Sequence, residues 1–217
     1  MTVYNLMPEP LGYYNLYFDH LDGDPDKVEC VDQSGDPWLP HGRPSFSETF
    51  RWGRAVRTEH LPTKLRPKSA QKRMPDYETV GMGQIASAAF REVAEALEPG
   101  VHQFEPVAIV NKRGEVLAEM FWFVPCNRLD TLAPDLLDPP LNEIGLYSGN
   151  SNTPRCVFDA AKVGDAHVWI DARVIGGYLF ASQAFKDAAE RAGLKGVKLR
   201  AEETINLSPA VEAGHGR

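Results

Sequence analysis

IASAAFREVAEAL occupies residues 85–97, and FASQAFKDAAERA occupies residues 180–192. A shift of 95 positions superposes Ala-Ser, then Ala-Phe, a basic residue, an acidic residue and Ala-Glu. With one residue of slippage, Gly100-Val101 then matches Gly196-Val197. Similarity at a fixed spacing is typical of an internal repeat, although two copies are fewer than a solenoid needs. The sequence therefore predicts one structural module that occurs twice.

Both stretches have the pattern of an amphipathic helix. Apolar residues recur at i, i+3, i+4 and i+7, which gives one apolar stripe on each helix. The stripes comprise Phe90, Val93, Ala94 and Leu97 in the first stretch, and Phe185, Ala188, Ala189 and Ala192 in the second. Ser87 and Ser182 are placed to cap the helix N-termini, and Pro99-Gly100 and Gly193 are placed to end the helices. We therefore predict that both stretches are helical throughout.

Strand-forming segments surround both predicted helices. They predict strands over residues 101–110 and 197–200 after the helices, and over 167–171 and 178–180 before the second helix. Between the modules the sequence predicts a hairpin with arms over residues 104–110 and 115–124 and the turn Asn111-Lys112-Arg113-Gly114. Apolar residues cover both faces of the second arm, which places it centrally in a sheet. The predicted fold is α+β, with a mixed or antiparallel sheet and two similar strand–helix–strand modules packed together.

The chain is predicted to have three regions that form one compact unit. Residues 1–75 make an N-terminal region of strands and loops, 76–154 the first helix–hairpin module, and 155–217 the second module with a loose tail from Ser208. Residues 13–18 are a predicted strand in the first region. The loop 148–154 is rich in turn-forming residues, so we expect the boundary between the halves there.

The composition is that of a packed protein that stays where it is made. The formal net charge is −7 over 217 residues, of which 43 % are apolar and 24 % charged, and this predicts a globular core. The N-terminus lacks a basic region followed by an apolar stretch, and the densest apolar run, residues 120–124, is too short to cross a bilayer. Cys30, Cys126 and Cys156 show no Cys-x-x-Cys spacing, so we expect no disulfide scaffold. These features predict a cytoplasmic protein that does not contact membranes.

The sequence contains no motif for a metal site, a cofactor or a catalytic centre. The acidic loop Asp22-Gly23-Asp24-Pro25-Asp26 resembles a calcium loop, but that template needs Gly at its sixth position and Glu at its twelfth. Those positions hold Lys27 and Gln33, so the loop is interpreted as a solvated acidic turn. The six histidines show no helical metal-ligand spacing. We therefore predict no catalytic, cofactor-binding or metal-binding residues.

A basic stretch over residues 51–73 has two interpretations. Its cations are Arg51, Arg54, Arg57, Lys64, Arg66, Lys68, Lys72 and Arg73, and only Glu59 opposes them. With Trp52 nearby, the stretch could contact nucleic acid. Alternatively, it is a solvated segment that pairs with the acidic N-terminal loop. The negative net charge favours the second interpretation, because it argues against general nucleic-acid binding.

Several short motifs resemble one known family when they are taken in order. They are Met74-Pro75-Asp76-Tyr77, Ile85-Ala86-Ser87 with its helix, residues 101–107, residues 126–132, His167-Val168-Trp169, and residues 179–199 including Gly193-Leu194-Lys195-Gly196-Val197. From about residue 61 to residue 201 the chain resembles the bacterial polymorphic-toxin immunity family numbered eleven. Cys126-Asn127-Arg128 departs from the apolar and acidic pattern that is usual there. The resemblance implies a cytoplasmic protein that protects its producer by binding a toxin encoded nearby, and it carries no catalytic residues.

The hypothesis from sequence is therefore an immunity protein that neutralises its toxin by steric occlusion. Tight binding relies on aromatic anchors within a charge-complementary surface. The candidate partner-binding residues are Tyr14, Tyr17, Asp22, Asp24 and Asp26 in the acidic loop region, and Asn150 and Asn152 in the loop 148–154. Two alternatives are an enzyme with a dispersed site and a nucleic-acid-binding accessory protein that uses the basic stretch. A homo-oligomer also stays open.

Overall fold

The computed structural model describes residues 1–9, 17–35, 46–69, 73–81, 83–149 and 154–207. Three predictions fall wholly or mostly outside these residues: the strand over 13–18, the boundary loop 148–154 and the tail from Ser208. No helix among the described residues is long and apolar enough to span a bilayer.

The described elements are mostly strands, with a few short helices between runs of them. The strands are β1 (Val3–Pro8), β2 (Phe18–His20), β3 (Lys64–Pro67), β4 (Tyr77–Val80), β5 (Gly83–Ala86), β6 (Gln103–Val110), β7 (Val116–Val124), β8 (Arg128–Leu129), β9 (Val157–Asp159), β10 (Val168–Asp171), β11 (Leu179–Ser182), β12 (Val197–Ala201) and β13 (Glu203–Ile205). The helices are α1 (Ala88–Leu97), α2 (Ala160–Val163) and α3 (Gln183–Ala192), with 3₁₀ turns at Pro25–Lys27, Phe46–Arg51 and Pro134–Leu136. The predicted α+β fold is confirmed.

The strands form two larger sheets and one small one. The first has the order β2-β3-β6-β7-β5-β4, the second has the order β12-β1-β11-β10-β8, and β13 pairs with β9. The predicted hairpin is confirmed as β6 and β7, and β7 lies centrally between β6 and β5. Pairing is mostly antiparallel, with parallel neighbours at β3–β6, β8–β10 and β9–β13. The sheets are therefore mixed.

The predicted helix starts at residues 85 and 180 were wrong by about one turn, whereas the predicted caps were right. Ile85 and Phe180 belong to strands β5 and β11 and are buried in the sheets. In each module the backbone turns from strand to helix at the capping serine. The Ser87 and Ser182 hydroxyls each accept a backbone N–H at 3.2 Å. The apolar pattern of each helix thus continues into the buried strand before it. Periodicity alone does not distinguish a short buried strand from a helix.

The two modules share one strand topology, and we call them unit 1 and unit 2. Unit 1 contains β3 to β7 in the order β3-β6-β7-β5-β4. Unit 2 contains β9 to β13 together with β1. Because β13 follows β12 almost directly in the chain, the two occupy one position, and the order is β9, then β12 with β13, then β1, β11 and β10. Equivalent neighbours run in the same relative direction in both units. The N-terminal strand β1 therefore takes in unit 2 the place that β7 takes in unit 1.

Strand register and side-chain contacts repeat as well. Ala86 lies opposite Phe121 and Ala181 opposite Tyr4, while Phe104 lies opposite Phe123 and Leu199 opposite Leu6. The spacing of 95 positions thus holds from residue 86 to 181 and from residue 104 to 199. The Arg91 guanidinium lies 4.9 Å from the centre of the Phe121 ring, and the Lys186 ammonium lies 5.8 Å from the Tyr4 ring. The internal repeat is therefore a property of the folded chain and not only of its sequence.

Three apolar clusters fill the structure, and equivalent residues meet in the central one. There the Phe90 and Phe185 rings contact each other with centres 5.4 Å apart. Contact between equivalent side chains means that the units face each other about an approximate twofold axis. A second cluster lies behind the sheet of unit 1, covered by Val28, Phe50, Val56 and Leu61, and a third lies behind the sheet of unit 2, covered by residues 132–147 and α2.

Candidate functional site

Asp76 forms one of two clasps that hold the units together. Its carboxylate accepts the Ser87 hydroxyl and the Lys195 backbone N–H, each at 2.6 Å, and its own N–H donates to Lys195 O at 2.7 Å. Gly196 packs so tightly on Pro75 that an added Cβ would lie 2.3 Å from the Pro75 Cβ. The Pro-Asp motif at 75–76 and the glycine-rich segment after α3 are thus two sides of one contact.

Glu98 forms the second clasp, at the end of α1. Its carboxylate accepts hydrogen bonds from His102 Nε2 at 2.9 Å, Asn127 Nδ2 at 2.7 Å, and the backbone N–H groups of His167 at 2.8 Å and Val168 at 2.9 Å. Burial by itself would raise the pKa of Glu98, but the bonds from His102, His167 and Val168 outweigh it and lower the pKa. With only 6 % of its surface exposed, this carboxylate supports the fold and is not available to a partner.

The segment 126–128 contributes two residues to this second clasp. The Cys126 N–H donates to His102 Nδ1 at 3.1 Å, so Nδ1 acts as an acceptor while Nε2 of the same ring faces Glu98. Asn127 also donates to Val168 O at 3.0 Å. Sequence reasoning missed this cluster, although Glu98 and His102 stand four residues apart.

Arg128, the last residue of that segment, fixes the edge strand β8 to the N-terminal region. Its guanidinium lies 3.8 Å from the centre of the Trp52 ring and donates to Trp52 O at 3.3 Å and Ala172 O at 3.1 Å. A planar guanidinium can stack on an indole and donate at its edge at the same time. Arg128 therefore has a structural role here.

The Asp22 carboxylate of the acidic loop forms hydrogen bonds within the chain. It accepts the Thr63 N–H at 2.7 Å, the Thr63 hydroxyl at 2.5 Å and the Lys64 N–H at 3.0 Å. These bonds fix the chain where it enters β3. Asp22 was a predicted partner-binding residue, but its oxygens already have partners within the chain, so neutralising it would disturb the loop as well as the surface charge.

An Asp22→Ala variant is expected to lose about 1–2 kcal/mol of unfolding free energy, because it removes a side-chain cap and leaves two backbone donors to water. Denaturant unfolding followed by tryptophan fluorescence measures the loss. Asp26→Ala, four residues along, is the control and should change stability by less than about 0.5 kcal/mol. Equal stability of both variants would contradict the structural role of Asp22.

Three cations of the basic stretch pair with acidic residues of the N-terminal region. Asp19 bonds Arg66 at 3.2 Å and lies 3.6 Å from Lys68. Asp32 lies 3.6 Å from Arg54. These ion pairs involve acidic residues on either side of the loop Asp22–Asp26 and not the loop itself, and they reduce the positive charge that the stretch presents to solvent.

An acidic face remains once these internal pairs are counted. Asp24 pairs with Lys27 at 2.8 Å, but Asp26, Glu29 and Glu59 form no ion pair among the described residues. These three carboxylates line an open cleft of about 520 Å³ together with Lys27, Arg57 and His60. Nearby in the sequence, Tyr17, Leu21 and Val31 expose 68 %, 41 % and 56 % of their surfaces. We define the acidic face as Asp26, Glu29 and Glu59 with Tyr17 and Leu21.

The predicted site residues are thus only partly brought together. Tyr17 and Asp26 belong to the acidic face, Asp22 and Asp24 bond within the chain, and Tyr14, Asn150 and Asn152 lie outside the described residues. Glu59 was not predicted as a site residue from the sequence, although it is the single acid in the basic stretch. Which carboxylates stay unpaired depends on contacts between segments, so sequence order does not reveal it.

A second exposed surface lies beside the predicted loop 148–154. The Ile175 N–H donates to Tyr147 O at 2.9 Å, which joins the β10–β11 connection to the segment that precedes that loop. Ile144, Ile175 and Tyr178 expose 49 %, 45 % and 51 % of their surfaces there. We call these three residues the loop face. In unit 1 the equivalent strands β4 and β5 end at Val80 and begin at Gly83, so the longer connection is particular to unit 2.

Two kinds of chemistry find little support in the described residues. No group of three or more His, Cys, Asp or Glu side chains is arranged there to hold a metal ion. Burial raises the pKa of Cys30 to about 11 and that of Cys156 to about 12. At neutral pH both thiols are therefore protonated and are not activated nucleophiles.

Comparison with known protein families identifies a match over most of the chain. A family model described as "Immunity protein family (Imm11)" matches residues 21–204. No curated protein matches the chain. The matched range includes both clasps, the loop face and all of the acidic face except Tyr17.

Proposed function

Because the chain belongs to the Imm11 immunity protein family, we propose that it protects a bacterial cell by binding a cognate secreted toxin of the polymorphic class. It acts in the cytoplasm, by binding and not by catalysis. The toxin is encoded beside it. The observation that carries the choice of surface is the acidic face, where Asp26, Glu29 and Glu59 line one cleft and form no ion pair with any other described residue.

The composition of the acidic face suits a tight protein interface. Tyrosine is enriched among the side chains that contribute most to binding energy, since it buries a large area at a small entropic cost. Tyr17, with 68 % of its surface exposed, is the aromatic anchor. Asp26, Glu29 and Glu59 would steer a basic partner toward it, in keeping with the net charge of −7.

Neutralisation follows from steric occlusion. The acidic face is held in shape by internal bonds: Asp22 fixes the entry to β3, and Asp19 is paired with Arg66 and Lys68. A surface that is already ordered loses little entropy on binding, so more of its contact energy appears as affinity. A partner seated there would have its own basic surface covered.

Replacing the three unpaired carboxylates together tests the acidic face. An Asp26→Asn/Glu29→Gln/Glu59→Gln variant should bind the toxin domain with an association rate about tenfold lower at low salt and with a flatter salt dependence. Stopped-flow fluorescence with the C-terminal domain of the upstream-encoded protein measures the rate. Growth during co-expression reports protection in the same pair of proteins.

The control carries the same charge change on other surfaces, as Glu92→Gln/Asp135→Asn/Asp165→Asn. It should associate nearly as fast as the unmodified chain. If both triple variants slow association equally, net charge and not the acidic face is responsible. If neither does, the loop face becomes the next candidate, and Tyr178→Ser would test it through the dissociation rate.

A further inference from the structure

The outer strand β2 leaves one row of backbone groups open. It ends the strand order of its sheet and pairs with β3, where the Leu21 N–H donates to Lys64 O at 3.0 Å and Pro67 lies opposite Phe18. Backbone groups of an antiparallel strand alternate in direction, so the N–H and C=O groups of Phe18 and His20 point away from β3. No described residue forms a hydrogen bond with these backbone groups.

The outer strand at the other end of the same sheet is closed by its own side chain. In β4 the Asp76 carbonyl accepts the Ser87 N–H at 2.9 Å, so by the same alternation the Thr79 N–H points away from β5. The carboxylate of Glu78, only 4 % exposed, accepts that N–H at 2.8 Å. Proteins usually protect outer strands from pairing with other chains, and β4 shows such protection where β2 does not.

Unit 2 also closes the side that corresponds to β2. Its strand β9 takes the place of β3, and its outer side is bonded to the segment 131–133. There the Asp159 N–H donates to Thr131 O at 2.8 Å and the Ala133 N–H donates to Val157 O at 2.9 Å. The open edge of β2 is therefore an addition to the repeat and not a requirement of it.

The surroundings of this edge are apolar and negatively charged. Tyr17 and Leu21 flank it on one face of the strand and expose 68 % and 41 % of their surfaces. Burial lowers the pKa of His20, and the negative charges of Asp26 and Asp19 oppose that effect. Because Asp19 is already paired with two cations, the charge near this strand that lacks an ion pair among the described residues is that of Asp26.

We propose that the outer edge of β2 binds an extended, basic segment of the toxin as an added strand. The assignment rests on the proposed function, which it deepens by naming the conformation and the charge of the segment that binds. Main-chain hydrogen bonds to Phe18 and His20 hold the segment, and its alternate side chains give specificity. Its apolar side chains contact Tyr17 and Leu21, and its positive charge complements Asp26.

Amide hydrogen exchange of the unmodified full chain tests the added strand directly. The Phe18 and His20 N–H groups should exchange rapidly in the free chain and about tenfold more slowly, or slower still, in the complex with the toxin domain. The Leu21 N–H is the control, since its bond to Lys64 O exists already, and it should change much less. Unchanged exchange at Phe18 and His20, or equal slowing at all three amides, would overturn the proposal.

His20→Pro and His20→Ala form a matched pair of variants. Both remove the imidazole, but only proline removes the outward N–H, and an outer strand accepts proline where its N–H faces solvent. The toxin domain should bind His20→Pro about tenfold more weakly than His20→Ala. Equal affinities of two folded variants would overturn the proposal. Thermal unfolding shows whether both are folded, and if His20→Pro is not, the exchange measurement decides.

The same experiments separate this proposal from the proposed function. A toxin domain that does not bind the unmodified chain would contradict both, whereas a complex without slower exchange at Phe18 and His20 would contradict only the added strand. Sedimentation of the free chain tests whether a second copy uses the edge instead. A dimer that is lost in His20→Pro, beside unchanged toxin affinity, would assign the edge to that copy and overturn the proposal.

Discussion

A Glu98→Ala variant is expected to lose about 3–5 kcal/mol of unfolding free energy, the usual cost of removing one partner from a buried charged cluster. The substitution leaves four donors without their acceptor: His102 Nε2, the Asn127 amide, and the backbone N–H groups of His167 and Val168. Because Glu98 belongs to unit 1 and the two backbone groups begin β10 of unit 2, the loss should appear in the stability of both units. Denaturant unfolding measured by circular dichroism gives the value.

The same variant should change how stability depends on pH. The folded pKa of Glu98 lies below its ordinary value of 4.5, so near that pH the unfolded chain binds a proton that the folded chain does not. The stabilisation is therefore present above pH 4.5 and is lost as the pH falls through the lowered pKa. Unfolding free energy should fall less steeply with acid in Glu98→Ala than in the unmodified chain.

Glu92→Gln, on the exposed side of the same helix, is the matched control for both measurements. It should shift stability by no more than about 0.5 kcal/mol and leave the acid dependence unchanged. If Glu98→Ala were no less stable than this control, the carboxylate would not be holding the units together, and the second clasp would have to be abandoned.

Truncation of either phenylalanine at the approximate twofold axis should have a comparably large effect. Phe90→Ala and Phe185→Ala are each expected to cost about 3–5 kcal/mol, since both rings are fully buried and would leave cavities. Phe90 should cost more, because its ring also lies 5.4 Å from Tyr77 and 5.1 Å from Phe123. Equilibrium unfolding of the two variants gives the comparison.

The double variant tests whether the two rings support each other. Side chains in contact give coupling energies of about 0.5–3 kcal/mol in a double-mutant cycle, so Phe90→Ala/Phe185→Ala should cost less than the sum of the single variants. Leu117→Ala, at a position 45 % exposed, serves as the control and should couple to neither. Strict additivity of the two phenylalanine variants would contradict direct packing across the axis.

Local sequence was sufficient to predict the pieces of the repeat. Ser87 and Ser182 marked the start of both helices because a capping hydroxyl acts within three residues. Gly193 marked the end of α3 because it adopts a left-handed conformation, with φ of 67°. The hairpin was visible from its turn and its flanking apolar arms. Each of these signals depends on neighbours within a few positions.

Contacts between distant segments were not predictable in the same way. Nothing in the residues of β1 identifies β11 and β12 as its neighbours, since many apolar strands would suit either side. Glu98 looked like an ordinary residue at a helix end, and its partners lie four to seventy positions away. Asp22 and Asp26 looked alike in the acidic loop, yet only Asp22 faces the backbone of Thr63 and Lys64.

The place of β1 in unit 2 has a consequence for the order in which the chain is made. Strand β1 leaves the ribosome before the other described strands, while β12, one of its two neighbours, follows only after the whole of unit 1. At about 5–20 residues per second, the stretch from Pro8 to Ala201 takes roughly 10–40 s to synthesise. Unit 1 is complete well before that time, whereas unit 2 must wait for its last strand. A transcript broken before codon 197 therefore yields a chain whose first strand has lost a neighbour, however intact the remainder is.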